Sequence, residues 1–398
     1  MAHDIPSSSS SHDPPPLNLH ENTDLSTTIP PHNPTSTSPT TNTQQLEEAY
    51  TALDINEPGG LDLDFDDDSV ATVDHRFALV GRLITERIRV EMKNFGEILL
   101  ILIGTSLALL NACNDNLVNP TFVKDTSAVC LAGNPAAYYY SKGFGEGVNN
   151  WIVYLREGGW CMNITDCKDY ITRKGVDTNP KPVALRNLLS NQKEKNPDFF
   201  NWNRVDVRYC DASSFTGNSE IIKSDTKLYF RGAKIFNAVI QELLDNGMGS
   251  AENALLAGSS AGGVATAIYC DKFRRHFSNT SRVKCLSDAG YFFLSKKHDQ
   301  ENTFLSMFDG LIKLHGSKNA LPTSCTSRLS AEMCFFPQNF QADIQTPIFF
   351  LMSGFDQIQI QYTMVSKEFY ACAIGRNCSS NQIKIMQELR AELLSCFA

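Results

Sequence analysis

The sequence predicts an α/β fold, a mostly parallel sheet with helices on both faces. Three observations predict it. Short apolar runs of strand length lie at residues 151–155, 254–257 and 347–352, and residues 205–209 alternate at period two. Between them, residues 228–244 hold apolar side chains at helical spacing (Tyr229, Ala233, Phe236, Ile240, Leu243, Leu244) and stop at Gly247, and residues 264–269 are helix-like. No internal repeat interrupts this alternation. In such sheets, sites gather beyond the carboxyl ends of the strands, so the segments that follow the strands carry the functional argument.

Three of those segments bear chemistry. Gly258-Ser259-Ser260-Ala261-Gly262 has the Gly-x-Ser-x-Gly pattern and stands between an apolar strand and a helix. That is the setting of a nucleophile elbow, in which a tight turn lifts the serine hydroxyl clear of its own backbone. Ser260 is the expected acyl-transfer nucleophile. Gly158-Gly159-Trp160-Cys161 follows the strand at 151–155. A glycine pair there lets backbone N–H groups approach a developing oxyanion, so Gly159 and Trp160 are expected donors, joined by Ala261 just after the nucleophile. Ser353-Gly354-Phe355-Asp356 follows the strand at 347–352, and Asp356 is the candidate acid that would orient a histidine. The same residues also suit plainer roles, a glycine turn with a core tryptophan and a solvated turn acid.

Charge is unevenly spread over the 398 residues. Residues 1–75 hold fourteen Asp and Glu and no Lys or Arg, which leaves thirty acids against thirty-five bases in the remainder. The leading segment is rich in Ser, Thr and Pro and has too few apolar residues to build a core, so it is expected to be a disordered acidic tail. Residues 76–113 combine a basic stretch with the apolar run 98–110, expected to act as a signal or signal anchor; a buried helix is the alternative. The body from residue 114 would then enter the secretory pathway and reach the cell exterior or wall. Twelve cysteines, eleven of them from Cys130 onward and none in a C-x-x-C pair, favour disulfides over a metal site. Eleven is odd, so either Cys113 supplies a partner or one thiol stands alone. Glycosylation triplets begin at Asn163, Asn279 and Asn377. No cofactor, metal or nucleic acid is called for, and the chain is expected to be a monomer.

The body resembles the plant pectin acetylesterase family, which is related to the Notum-type carboxylesterases. The resemblance runs from about residue 118 to 394. It rests on Ala128-Val129-Cys130-Leu131 with Gly143-Phe144-Gly145, Gly158-Gly159-Trp160-Cys161, Val207-Arg208-Tyr209-Cys210-Asp211, Ser213-Ser214-Phe215-Thr216-Gly217, the elbow, Asp288-Ala289-Gly290-Tyr291-Phe292 and Cys334-Phe335-Phe336-Pro337-Gln338. It implies an α/β-hydrolase fold and a serine carboxylesterase acting on acetyl esters of cell-wall pectin. Ser260 and Asp356 fall at the nucleophile and acid positions. The body's mild positive charge suits an anionic polysaccharide.

The departures are as specific. The family's glycine loop usually reads Glu-Gly-Gly-Gly-Trp-Cys, where this chain has Arg156-Glu157-Gly158-Gly159-Trp160-Cys161. Near the acid, Gly354-Phe355-Asp356-Gln357-Ile358-Gln359-Ile360 stands in place of Ala-Tyr-Asp-Ser-Trp-Gln-Ile. The family's catalytic histidine belongs to a segment resembling Ser-Cys-Phe-Ala-His-Cys, and the sequence ends at Ser395-Cys396-Phe397-Ala398 with no histidine after Asp356. The triad is therefore expected to lack its base, and His276, His298 and His315 read as surface or packing residues. A catalytically inactive pectin-binding relative or splice product is the alternative function. A lipid deacylase like the animal relatives is a third.

Overall fold

The computed structural model describes residues 117–174, 180–223, 226–298, 303–373 and 378–397. The expected acidic tail, the basic and apolar segments up to residue 113, and the Asn377 triplet lie outside the described residues.

Seven strands form one sheet: β1 (Pro120–Phe122), β2 (Ala137–Ser141), β3 (Asn150–Leu155), β4 (Asn203–Val207), β7 (Asn253–Ser259), β8 (Arg282–Asp288) and β9 (Ile348–Leu351). Their order across the sheet is β1-β2-β4-β3-β7-β8-β9. The run from β4 to β9 is parallel throughout, and β1 and β2 add an antiparallel edge. The expected mostly parallel sheet is present. β5 (Ser219–Lys223) and β6 (Thr226–Phe230) make a separate antiparallel hairpin.

The helices are α1 (Ile164–Lys174), α2 (Gly232–Asp245), α3 (Ala261–Arg274), α4 (Thr303–His315), the single turn α5 (Thr323–Thr326), α6 (Gln357–Met364), α7 (Lys367–Ala373) and α8 (Ser380–Ser395). α3 lies against the middle of the sheet with Val264, Ala265, Ala267 and Ile268 buried, and its Tyr269 stacks on Phe236 of α2 at 3.9 Å between centroids. Trp151, Val153, Leu155, Val205, Val207, Ala254 and Leu256 meet them from the strands, the alternate residues that period two turns to one face. α6, α7 and α8 close a second apolar cluster around Tyr291, Phe293, Ile360, Met386, Leu389 and Leu393. α8 begins with a capping box, in which Ser379 Oγ accepts from Gln382 N–H while the Gln382 side chain accepts from Ser379 N–H.

Two element boundaries differ from the sequence reading. The helical spacing over 228–244 is interrupted, because Leu228 and Tyr229 belong to β6, where burial alternates from Thr226 to Phe230 and the hairpin supplies backbone partners. The helix starts only at Gly232, which a side chain would drive to within 2.0 Å of Asp211 Oδ2. The alternating strand starts two residues earlier and ends at Val207, since Cys210 is drawn away into a disulfide with Cys130.

Five disulfides join Cys130–Cys210, Cys161–Cys167, Cys270–Cys285, Cys325–Cys334 and Cys372–Cys378. Cys270–Cys285 ties α3 to β8, and Cys130–Cys210 closes a loop of 80 residues, the span over which a crosslink most restricts the unfolded chain. Cys396 is the free thiol among the described residues. No helix among them is long and apolar enough to cross a membrane.

Candidate active site

The carboxyl ends of β3, β7 and β9 deliver the three expected segments to one edge of the sheet. The elbow is the sharpest of them. Ser260 caps α3 with φ 52° and ψ −120°, a conformation that side chains avoid and that costs on the order of 1–3 kcal/mol unless the surroundings enforce it. Two features enforce it. Ser260 N–H donates to the Asp288 carbonyl at 2.9 Å. The glycines on either side also leave no room for a larger residue, since a Cβ on Gly258 would lie 2.4 Å from the Gly262 carbonyl oxygen and one on Gly262 would lie 2.1 Å from that of Leu155. The turn therefore presses the N-terminus of α3 onto the end of β3. Ala261 is fully buried in the first turn, where helix N–H groups lack intrahelical acceptors and the dipole favours negative charge.

The glycine loop is held from several sides. Tyr209 O–H donates to the Gly159 carbonyl at 2.8 Å and accepts from Ser214 N–H at 2.9 Å. The Gly159 N–H already has a weak partner, the Tyr170 hydroxyl at 3.3 Å. Trp160 Nε1–H donates to Ser214 Oγ at 2.8 Å, and its ring meets Phe292 and Phe308 edge-on. Cys161 N–H donates to the Ala212 carbonyl at 3.3 Å. Gly158 lies on the Tyr209 ring, where an added Cβ would come within 1.9 Å. Replacing Tyr209 with Phe is therefore expected to destabilise the fold by about 1–3 kcal/mol, because Ser214 N–H loses its acceptor and the Gly159 carbonyl its donor. A denaturant midpoint measurement checks it.

Arg156, the charge reversal of this loop, points elsewhere. Side chains alternate along β3, so Tyr154 and Arg156 face the side of the sheet opposite Val153 and Leu155. Arg156 makes a bidentate pair with Asp206, at 2.7 Å from Nε and 2.6 Å from Nη2. The pair lines a cleft of about 530 Å³ with Glu157, Arg186 and Asp288. The charge of Arg156 is answered there rather than at the glycine loop.

Asp356 follows β9 and caps α6, its Oδ1 accepting from Gln359 N–H at 2.8 Å. Burial pushes its carboxyl above the usual range against the pull of the Gln359 and Ile358 backbone. It sits at the same sheet edge as Ser260, with β8 between their strands.

The described imidazoles lie away from the elbow. His315 ends α4 fully buried, donates from Nε2 to the Cys161 carbonyl at 2.8 Å, and lies against the Phe230 ring at 4.1 Å. Burial pushes it down to about 4, so it is neutral near pH 7. His298 Nε2 pairs with Glu388 at 3.0 Å. His276 lies exposed just beyond α3, at the end opposite Ser260. Cys161, Cys167 and His315 lie within 4.8 Å of one another, but both sulfurs are joined in a disulfide and offer no thiolate to a metal.

Sequence reasoning missed the supports of this loop. Tyr209, Ser214 and His315 act through buried hydroxyls and a ring nitrogen. The only signal was that Tyr209 and Ser214 fall in stretches matching the family. Asn163 and Asn279, the described glycosylation candidates, are exposed.

The chain is 42% identical over 279 residues to pectin acetylesterase 7 of Arabidopsis thaliana, covering 67% of this chain and 71% of that one. It is 41% identical to pectin acetylesterase 11 of the same plant, covering 68% and 72%. Palmitoleoyl-protein carboxylesterase notum1a of Danio rerio is 30% identical, with 68% and 56% covered. Among solved structures, the Wnt deacylase Notum from Drosophila shares the fold, with a TM-score of 0.61 at 24% identity over 71% of this chain and 81% of that one. The pectinacetylesterase family model matches residues 111–398, and the chain belongs to that family of hydrolases.

Proposed function

We propose that the chain is a serine carboxylesterase that removes acetyl groups from cell-wall pectin, working as a monomer in the secretory pathway or wall. The observation that carries this reading is Ser260, held at φ 52° on a strand-helix turn with Ala261 opening α3 behind it. Ser260 Oγ attacks the acetyl carbonyl. The N–H of Ala261, with Gly159 or Trp160, holds the oxyanion. The sugar hydroxyl leaves, and water releases acetate from the acyl-serine. Asp356 takes the acid position, where it would orient an imidazole that accepts the Ser260 proton and passes it to the departing sugar oxygen; none of the described imidazoles fills that place. The pectin acetylesterases among the relatives support the substrate class, and five disulfides support an oxidising compartment.

A second reading, pectin binding without turnover, is favoured by one observation: each described imidazole lies away from Ser260, His298 and His315 on other partners and His276 exposed beyond the far end of α3. Acetate release from acetylated pectin decides between the two. The esterase reading expects release by the chain that falls to background in Ser260→Ala, with both proteins binding pectin alike. Equal release by both proteins would sink the serine mechanism, and binding with no release establishes the second reading.

A further inference from the structure

At the end of α3 remote from Ser260 lies a cleft of about 410 Å³ that the proposed reaction does not use. Its cationic end, at Lys272 and Arg275, stands roughly 20 Å from Ser260 along the helix axis. Lys272, Arg275, Asn319, Thr323 and Ser324 line the cleft over an apolar floor that includes Ile268, Leu321 and Phe340.

It holds two cations and two carboxylates, and they are partnered differently. Two carboxylates border it, and both are occupied. Asp271 accepts from the Thr346 N–H at 2.8 Å, the Thr346 hydroxyl at 2.7 Å and Gln345 N–H at 3.0 Å. Asp343 pairs with Arg328. Among the described residues no carboxylate pairs with Lys272 or Arg275. Lys272 Nζ donates to Asn237 Oδ1 at 2.8 Å and lies over the Tyr269 ring at 5.3 Å, both neutral partners. Arg275 is exposed, and His276 stands beside it. The crowding is felt: burial first and Arg275 second lower the Lys272 ammonium, and burial, Lys272 and Arg275 lower His276. The C-terminal dipole of α3 helps to hold these cations together, and an anion would relieve them further.

Paired cations, amide and hydroxyl groups, and an apolar floor together match one chemistry, a uronic acid unit with one carboxylate, several hydroxyls and apolar ring faces. We propose that this cleft is a second, non-catalytic hold for a galacturonate unit of the pectin backbone. The inference rests on the esterase reading for the identity of the polymer. A remote hold keeps the polymer at high local concentration while Ser260 meets successive acetyl groups.

The test is binding of the full chain to de-esterified polygalacturonate at low and physiological salt. Lys272→Gln/Arg275→Gln is compared with Arg282→Gln/Lys284→Gln, which removes the same charge from exposed positions on β8. The expected result is a loss of about fivefold or more in the first variant, shrinking as salt screens the contact, and little change in the second. Circular dichroism shows that both are folded. Equal binding by the first variant and the unaltered chain, or equal loss in both variants, overturns the cleft. No binding by the unaltered chain overturns the polymer identity and the cleft together. Hydrolysis of a small uncharged acetyl ester, which needs no such hold, then tells whether the esterase reading survives.

Discussion

A chain extended by His-Cys after Ala398 is expected to release acetate from acetylated pectin on the order of a hundred- to ten-thousandfold faster than the 398-residue chain, the usual yield of a positioned general base. The expectation comes from where the last described residues lie. The Phe397 ring is 4.5 Å from Tyr291 and 6.3 Å from Phe350, and the Cys396 carbonyl accepts from the Gln341 side chain. Tyr291 comes just after β8, and Phe350 belongs to β9. The chain thus arrives at the sheet edge that holds both Ser260 and Asp356. A residue two positions past Phe397 is within about 7 Å of it along an extended backbone. On the proposed mechanism an imidazole there would take the Ser260 proton and be oriented by Asp356. Three controls bear on the mechanism. Ser260→Ala in the extended chain should abolish the gain, appending Gln-Cys should fail to produce it, and the rate should rise with pH as the imidazole loses its proton. A folded extension that leaves the rate unchanged would remove Asp356 and its imidazole from the mechanism.

How far the sequence could be read depends on how each feature is encoded. The parallel strands were legible because their apolar runs are short and bounded, and the elbow because glycines are required within van der Waals distance of other backbone at Gly258 and Gly262. The hairpin at β5 and β6 was not, since Leu228 and Tyr229 fit a helical stripe as well as an alternating strand and only tertiary pairing decides. Disulfides as a class were legible from the cysteine count, whereas Cys130–Cys210 joins residues 80 apart and cannot be inferred from spacing. Arg156 shows the limit most clearly. Beside the glycine loop in sequence it reads as a charge aimed at the site, but strand alternation turns it to the other face and onto Asp206. The buried loop after β4 was illegible for a further reason. Ala212, Ser214 and Phe215 all take positive φ there, and no residue type announces that strain.

That loop yields the second large effect. The stability of the fold is expected to fall by roughly 3 kcal/mol as pH rises from about 4 to about 6, through Asp211 alone. Asp211 is fully buried, its Oδ2 accepts from Ser213 Oγ at 2.6 Å, and its Oδ1 has no hydrogen-bond partner. Burial raises its carboxyl from 3.8 to about 6, although Ser213 and nearby backbone pull the other way. Below 3.8 both folded and unfolded chains hold the proton, and the stability is fully present. Between 3.8 and about 6 the unfolded chain releases it and the folded chain keeps it, so each pH unit costs about 1.4 kcal/mol. Above about 6 both are ionised, and the loss is complete. Burial raises Asp356, Asp288 and Asp206 as well, the last against the pull of Arg156, and all three tilt stability in the same direction. The contribution of Asp211 is therefore the difference between the unaltered chain and Asp211→Asn, followed as urea midpoints from pH 3.5 to 6.5. Parallel curves for the two would refute it. The consequence reaches the active site through two contacts: Cys161 N–H donates to the Ala212 carbonyl, and Trp160 Nε1–H to Ser214 Oγ. An ionised Asp211 strains the floor on which the glycine loop rests, so this site is expected to be best held together at acidic pH.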